Sequence, residues 1–153
     1  MRISMLLSIF LASVLATCVT AQPGSDSTPE TTTGEYGGFT VTSVATGFSR
    51  PWGMAFLPDG RLLVTERTGG LELVSTDGEV TDVSGVPNVA VVGQGGLLDV
   101  ILDPEFSTNW RVYLSHAFSR NGEHGTAVAQ AELSGTRLEN VTTIFEMDSL
   151  GRT

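Results

Sequence analysis

Gln94 is the residue whose setting most strongly suggests chemistry. It is a single amide side chain among three glycines in the stretch 91–100, "VVGQGGLLDV". Glycine weakens a strand unless the backbone needs unusual torsion angles or a close approach to another group. An amide both donates and accepts hydrogen bonds, so it can bind a polar ligand without adding charge. The residues alone leave two interpretations open: a plain tight turn with Gln94 in solvent, or a turn that presents Gln94 to a ligand.

The histidines and the paired aspartates have simpler explanations than catalysis. His116 follows the run "RVYLS", where near-neutral titration would suit a general base. A lone histidine at a predicted strand end is, however, more often a surface or half-buried polar residue, and His124 lies in a predicted loop. Asp99 begins the stretch "DVIL" of a predicted strand and Asp103 follows it; the two could suggest calcium, but turn formation before Pro104 accounts for Asp103. We predict no metal site from these residues.

Four other residues fall in predicted loops or at strand ends: Arg50, Trp52, Glu66 and Arg67. Trp52 could stack on a ligand, although an aromatic residue that opens a strand usually packs against neighbouring structure. Glu66 and Arg67 could form a structural ion pair. We carry none of the four as a site residue.

The elements that must position Gln94 are strands. Short apolar or alternating runs recur along the chain, separated by turn signals such as Pro58-Asp59-Gly60. No segment of twelve residues shows helical periodicity beyond the N-terminal apolar run. The fold class is therefore predicted to be all-β. The predicted strands cover 39–45, 52–57, 61–66, 71–75, 97–102, 111–115 and 126–133.

An internal repeat points to the architecture. Residues 52–66 resemble residues 97–116, since each has an apolar strand, a turn with proline next to an acidic residue, and a second apolar strand. Pro58 and Pro104 lie 46 residues apart (104 − 58), and a period of about 40 to 50 residues with four strands is typical of β-propeller blades. We therefore expect 39–153 to form about two blades, the N-terminal part of a propeller that continues in a longer protein.

The N-terminus predicts export. An apolar run over about residues 3 to 16 is too short to span a bilayer and lies where a secretory signal is found. Two cleavage sites remain open. Small residues at 19–21 suit a general signal peptidase and give a signal peptide over 1–21, hence a soluble periplasmic or extracellular protein. The stretch 15–18 instead resembles a lipobox, which would make Cys18 the lipid anchor of a membrane-tethered lipoprotein.

The next segment and the overall composition limit the possible partners. Residues 22–38 are rich in serine, threonine, glycine and proline, which predicts a flexible linker.

The 153 residues carry a formal net charge of −9 with a pI near 4.5, so nucleic acid is a poor candidate partner. Cys18 is the single cysteine, which excludes an intrachain disulfide and a zinc site built on several thiolates.

Two long blocks resemble one known family. "GFSRPWGMAFLPDGRLLVTERTGGLELV" (47–74) and "GVPNVAVVGQGGLLDVILDPEFSTNWRVYLSHA" (85–117) are similar to the start of the soluble quinoprotein sugar dehydrogenases. The similarity is greatest to the aldose sugar dehydrogenase branch of the glucose/sorbosone dehydrogenase family, and it covers nearly all of 39–150. The resemblance implies a six-bladed propeller that binds pyrroloquinoline quinone and calcium on the top face of the ring. It also implies oxidation of aldoses at the anomeric carbon to lactones, with electrons passed to an external acceptor.

The resemblance also bears on individual residues. Gln94 matches the glutamine that projects into the substrate and cofactor pocket of this family, so it is the one predicted binding residue. The family's general base is a histidine in a histidine–glycine-type motif that follows the matched region, and neither His116 nor His124 lies in a matching context. The base, most cofactor contacts and the calcium ligands are expected beyond residue 153, so this chain alone is expected to be inactive. The alternative function is a non-catalytic propeller that binds a carbohydrate or a protein partner.

Overall fold

A computed structural model of the chain describes residues 30–35 and 37–148. The predicted signal peptide over 1–21, with Cys18, and residues 22–29 of the predicted linker lie outside the described residues. The elements are β1 (Glu30–Gly34), β2 (Gly37–Val41), β3 (Pro51–Phe56), β4 (Leu62–Glu66), β5 (Leu71–Val74), β6 (Val80–Asp82), β7 (Leu97–Leu102), α1 (Phe106–Asn109), β8 (Arg111–Arg120), β9 (Glu123–Ser134) and β10 (Arg137–Glu146).

Two four-stranded antiparallel sheets form the body of the structure. The first sheet has the order β3-β4-β5-β6, and the second has the order β7-β8-β9-β10. Each is a meander in which successive strands pair, so the sequence repeat corresponds to the hairpins β3–β4 and β7–β8. The all-β prediction and the prediction of about two propeller blades are confirmed.

The two sheets pack face to face over one apolar core. Alternate residues of the strands point into it, among them Leu63 of the first sheet and Val100 and Leu114 of the second, all buried. Alternation with period two places every second side chain on one face of a sheet. Strands β3 and β7, the first strand of each sheet, lie beside each other, as innermost strands of neighbouring blades do.

Each sheet also has an apolar face directed away from the other sheet. Met54 and Phe56 of β3 are exposed, and so is Ile101 of β7. These residues alternate with core-facing ones, because Ala55 packs against the core between Met54 and Phe56. A blade that sits between two other blades has two apolar faces, whereas a sheet with one side in water has only one. The two apolar faces seen here therefore fit a blade between two others.

Some predicted boundaries were wrong. The last part of the predicted linker carries strand structure, because β1 and β2 pair as an antiparallel hairpin, whereas residues 42–48, predicted to be partly strand, are irregular. Strands β6 and β10 and the single turn of helix α1 were not predicted. Within the described part of the chain, no helix is long and apolar enough to cross a membrane.

Candidate functional site

Gln94 lies at the corner of a tight turn. The amide of Gly95 donates a hydrogen bond of 2.8 Å to the carbonyl of Val92, which closes a turn over 92–95. β7 begins at Leu97, so the turn stands at the entry to the innermost strand of the second sheet. The Gln94 side chain is exposed, and its amide has no hydrogen-bond partner among residues 30–35 and 37–148. Its full donor and acceptor capacity is therefore available to a ligand or to water.

Arg67 of the first sheet holds this turn. Arg67 follows the last residue of β4, and its Nη1 donates to the carbonyl of Gly93 at 2.5 Å and more weakly to that of Gly95 at 3.4 Å. The main-chain amide of Leu97 donates to the Arg67 carbonyl at 3.1 Å. The guanidinium thus bonds the carbonyls on both sides of Gln94, and it fixes the turn through planar, directional donors.

The glycines around Gln94 are explained by contact with the protein itself. A Cβ atom at position 96 would lie 2.9 Å from the carbonyl carbon of Arg67, and closer still to its oxygen. At position 95 it would lie 2.9 Å from the Cβ of Ala117. Packing against the protein itself therefore accounts for Gly95 and Gly96. Of the three glycines, only Gly93 has free space around it, because a Cβ atom placed there would have nothing within 4 Å. Its φ is +55.

The second sheet holds the other side of the turn. The amide of Ala117 donates to the Gly96 carbonyl at 2.8 Å, and the Ala117 carbonyl accepts from the amide of Ala90 at 2.9 Å. The loop before β7 is therefore bonded to β8 as well as to Arg67. Because both sheets contribute, the position of Gln94 depends on how the two blades pack.

A buried threonine joins the two inner strands below the turn. Thr65 is completely buried, and its hydroxyl accepts a hydrogen bond of 2.9 Å from the Gly53 amide. The same hydroxyl donates to the carbonyl of Leu98. A Cβ on Gly53 would lie 3.0 Å from the Cα of Asp99, so this glycine allows β3 and β7 to approach closely. Asp99 thus lies against the neighbouring inner strand, and its carboxylate accepts from the amide of the next residue at 2.9 Å.

The other predicted loop residues serve the backbone. Glu66 and Arg67 do not form the ion pair considered from the sequence, because the Glu66 carboxylate accepts from the Ser49 amide while Arg67 bonds the turn. The Arg50 carbonyl accepts from the Arg67 amide at 3.0 Å. Trp52 is about half exposed at 53%, so its ring is not buried between the two sheets.

The two histidines lie in strands, contrary to expectation. His116 is inside β8 and only 4% exposed, and His124 is in β9. The Nδ1 of His116 lies 3.2 Å from the Ala117 carbonyl oxygen, while its buried Nε2 has no partner among the residues that the structure describes. His116 therefore lies directly beside the residue that anchors the Gln94 turn.

Asp103 is a turn residue, as its position before Pro104 indicated. Its Oδ1 accepts from the Glu105 amide and the Asn109 side chain, each at 2.9 Å, and its Oδ2 accepts from the Tyr113 hydroxyl at 2.6 Å. These bonds, first that from Tyr113 and then that from Asn109, lower the pKa of Asp103 to about 2. The described residues contain no group of three side chains that could hold a metal ion.

The Tyr113→Phe variant should raise the pKa of Asp103 from about 2 towards its ordinary value of 3.8, because it removes the largest stabilising contact of the carboxylate. Asp103 stabilises the fold above about pH 3.8, and this stability is lost as pH falls through the folded-state pKa of about 2. In the variant the folded-state pKa lies nearer 3.8, so the stabilisation is smaller and its loss is complete at a higher pH than in the wild type. Carboxyl-carbon NMR titration measures the shift. Asp59, whose pKa is lowered by Arg61, is the internal control, and an unchanged Asp103 midpoint would contradict the assignment.

The chain is similar to proteins of one known family. The profile of the family described as Glucose / Sorbosone dehydrogenase matches residues 48–152. The chain belongs to this family. The matched range contains both sheets, the Gln94 turn and Arg67, so the site described above lies in the part of the chain that is typical of the glucose/sorbosone dehydrogenases.

Individual relatives agree with the family. The aldose sugar dehydrogenase of Escherichia coli K12 is 41% identical over 100 residues, which are 62% of this chain and 27% of that protein. Among solved structures, the apo form of the soluble aldose sugar dehydrogenase from Escherichia coli superposes with a TM-score of 0.64 at 36% identity, over 67% of this chain and 31% of that one. The PQQ-bound aldose sugar dehydrogenase from Streptomyces coelicolor gives a TM-score of 0.58 at 28% identity, over 79% and 35%. The chain spans 27% of the length of the curated relatives it matches.

Proposed function

We propose that the full-length protein is a quinone-dependent sugar dehydrogenase that oxidises aldoses at the anomeric carbon to lactones and passes the electrons to an external acceptor. The observation that carries the proposal is Gln94, an uncharged amide without a partner among the described residues, held at the entry of an innermost strand by contacts from two blades. Family membership supports the class of reaction. The PQQ-bound relative supports the cofactor.

The residues around the turn fit a flat, oxygen-rich cofactor and a sugar. Bound pyrroloquinoline quinone would supply the acceptor for the two electrons and hydrogen removed from the sugar. Gln94 can donate to a quinone or carboxylate oxygen through its NH₂ group and accept from a sugar hydroxyl through its carbonyl oxygen. Arg67 fixes the carbonyls on both sides of Gln94, so the amide is oriented before a ligand arrives and loses little freedom on binding.

Calcium and the general base have no residues assigned in this chain. The family resemblance implies both, but the described residues hold no cluster of metal-binding side chains, and the base is expected beyond residue 153 and is assigned to neither His116 nor His124. The contribution proposed for this part of the protein is binding and orientation of cofactor and sugar, not proton transfer.

We place the protein outside the cytoplasm on the basis of its N-terminal sequence. Cleavage after Ala21 would give a soluble periplasmic or extracellular enzyme, and lipidation of Cys18 would tether it to a membrane. Mass spectrometry of the mature N-terminus separates the two, since a lipid-modified Cys18 adds the mass of its acyl chains whereas cleavage after Ala21 leaves Gln22 first.

The activity is tested by dye reduction. The full-length protein, reconstituted with the quinone and calcium, should reduce an artificial acceptor dye when given glucose, xylose or arabinose, with the lactone as product. Protein without quinone is the control. Dye reduction by none of the aldoses, in protein shown to bind the quinone, would contradict the proposal and favour a propeller that only binds carbohydrate or a protein partner.

Gln94→Ala should lower kcat/KM for aldoses by about tenfold, the effect of losing roughly one hydrogen bond that forms in the transition state. Steady-state kinetics and a titration of the quinone separate an effect on the sugar from one on the cofactor. Gln130→Ala is the matched control, because Gln130 lies in the middle strand pair β8–β9 of the second sheet, away from the turn. Equal kinetics for wild type and Gln94→Ala would leave Gln94 a turn residue alone.

A further inference from the structure

A cavity lies beside strand β8, close to the point where Ala117 bonds the loop that carries Gln94. It has a volume of about 350 Å³ and lies between the loop that leads to the turn and the strands β8 and β10. Cavities of about 300 to 1,000 Å³ are the size range of small-molecule sites. The side chains that matter for the argument are Asn88, His116, Phe118, Arg120, Thr143 and Glu146.

Ala117 connects this cavity to the turn. Its two neighbours along β8, His116 and Phe118, line the cavity, while its own amide bonds Gly96 at 2.8 Å. A Cβ atom at position 95 would lie 2.9 Å from the Cβ of Ala117, so the turn also approaches Ala117 closely there. Through Ala117 the cavity wall is therefore linked to the loop that presents Gln94.

His116 lines the cavity and holds a buried ring nitrogen without a partner among the described residues. A carbonyl oxygen only accepts hydrogen bonds, so the contact of Nδ1 with the Ala117 carbonyl at 3.2 Å assigns the proton to Nδ1. The Nε2 atom is then an acceptor, buried and without a partner among the described residues. A buried acceptor without a donor is unfavourable, so a ligand hydroxyl that reaches Nε2 when the ring turns towards the cavity would stabilise it.

The remaining wall combines an aromatic ring with charged planar groups. The Arg120 guanidinium lies 5.2 Å from the centre of the Phe118 ring and pairs with the Glu146 carboxylate at 3.1 Å. Both charged side chains are about half exposed, at 53% and 44%, so solvent weakens the pair and it can yield to a ligand. A sugar ring offers an apolar C–H face to an aromatic ring and hydroxyl groups to carboxylate, guanidinium and amide partners.

From these observations we infer that the cavity beneath the loop is a second sugar subsite, which holds the next ring of an oligosaccharide whose reducing-end ring lies at Gln94. Phe118 supplies the packing surface, and the amide of Asn88, the Glu146 carboxylate and Nε2 of His116 bond the hydroxyls. The inference rests on the proposed function, because it takes the reacting sugar to lie at the Gln94 turn.

The test compares disaccharides with glucose in the full-length, quinone-loaded protein. Phe118→Leu removes the ring and keeps apolar bulk, so the ratio of kcat/KM for maltose or cellobiose to kcat/KM for glucose should fall about fivefold to tenfold. Phe118→Tyr keeps the ring and should retain the wild-type ratio. The matched control is Phe145→Leu, since Phe145 is an exposed phenylalanine of β10 that does not line the cavity. An unchanged ratio in Phe118→Leu, or the same fall in Phe145→Leu, would overturn the subsite.

A binding measurement keeps the subsite separate from the activity. If the protein oxidises no aldose, the proposed function fails, and calorimetric titration of the same variants with maltose and with glucose still tests the cavity. The subsite predicts tighter binding of maltose than of glucose to the wild type, with the difference lost in Phe118→Leu. Equal affinities for the two sugars in the wild type would overturn it. Melting temperatures of all variants show whether a lost difference reflects unfolding.

Discussion

The Gly96→Ala variant is expected to lose at least about 4 kcal/mol of folding free energy, which is a large effect for one methyl group. The added Cβ would lie 2.8 Å from the Cγ and 2.9 Å from the carbonyl carbon of Arg67, distances that the backbone can relieve only by moving apart. The backbone φ of +151 at this position is also unfavourable for alanine. The two blades are bonded at this point, because the Leu97 amide donates to the Arg67 carbonyl at 3.1 Å. Separating them there should disturb the interface itself.

Chemical denaturation of the full-length protein measures this loss, and circular dichroism shows whether any folded variant remains. Gly93→Ala is the matched control in the same turn. Its Cβ would have nothing within 4 Å, so only the left-handed backbone at φ +55 opposes it, at about 1 to 2 kcal/mol. Comparable stability of the Gly96→Ala and Gly93→Ala variants would show that Gly96 is not limited by its contact with Arg67.

The contrast between these glycines changes the interpretation of the glycine-rich turn. From the sequence, the glycines could equally serve a ligand, a turn or close packing. The contacts of Gly95 with Ala117 and of Gly96 with Arg67 assign two of them to packing between sheets. What the turn offers to solvent is the side chain of Gln94. The argument for a binding role therefore rests on that amide and on the groups that fix it.

Much of the fold could be predicted because the strands follow simple alternation. β7 was predicted with the bounds the structure shows, since its apolar residues are followed by a clear turn at Pro104. β10 was missed because nearly all of its side chains are exposed and its alternation is broken by a register shift next to Asn140, which has φ +52. A strand that buries only Leu138 gives no hydrophobic pattern to read.

The end of β8 was missed although a signal was present. The strand continues past Ser115 to Arg120 and turns back through Asn121-Gly122, both with positive φ, and Asn-Gly is a strong hairpin signal. The residues around this turn are polar, which is typical of a loop, so the sequence did not reveal the end of the strand that carries His116 and Phe118. The role of Arg67 left no signal at all, because it bonds a carbonyl 26 residues away and depends on how two sheets pack.

The Arg67→Gln variant should therefore alter the site more than the pattern of the sequence suggests. It removes the guanidinium donors to Gly93 and Gly95, and hydrogen bonds made by a charged group contribute about 1.5 to 3 kcal/mol each. We expect a loss of folding free energy in that range and faster hydrogen exchange of the amides in 93–97. We also expect a fall in kcat/KM of about tenfold or more, because a mobile Gln94 must be ordered when the ligand binds. Arg67→Lys keeps the charge but offers a single point of attachment, so its effect should be intermediate.

Arg61→Gln is the matched control for the loss of a positive charge. Arg61 pairs with Asp59 at 2.8 Å on the surface, and such pairs contribute at most about 1 kcal/mol. If Arg67 acts by holding the turn, exchange should accelerate at 93–97 in Arg67→Gln and stay as in the wild type in Arg61→Gln. Loss of stability spread evenly over both sheets, without a local change at 93–97, would instead make Arg67 a general contact between blades. In that case the orientation of Gln94 would have to come from Ala117 and the second sheet alone.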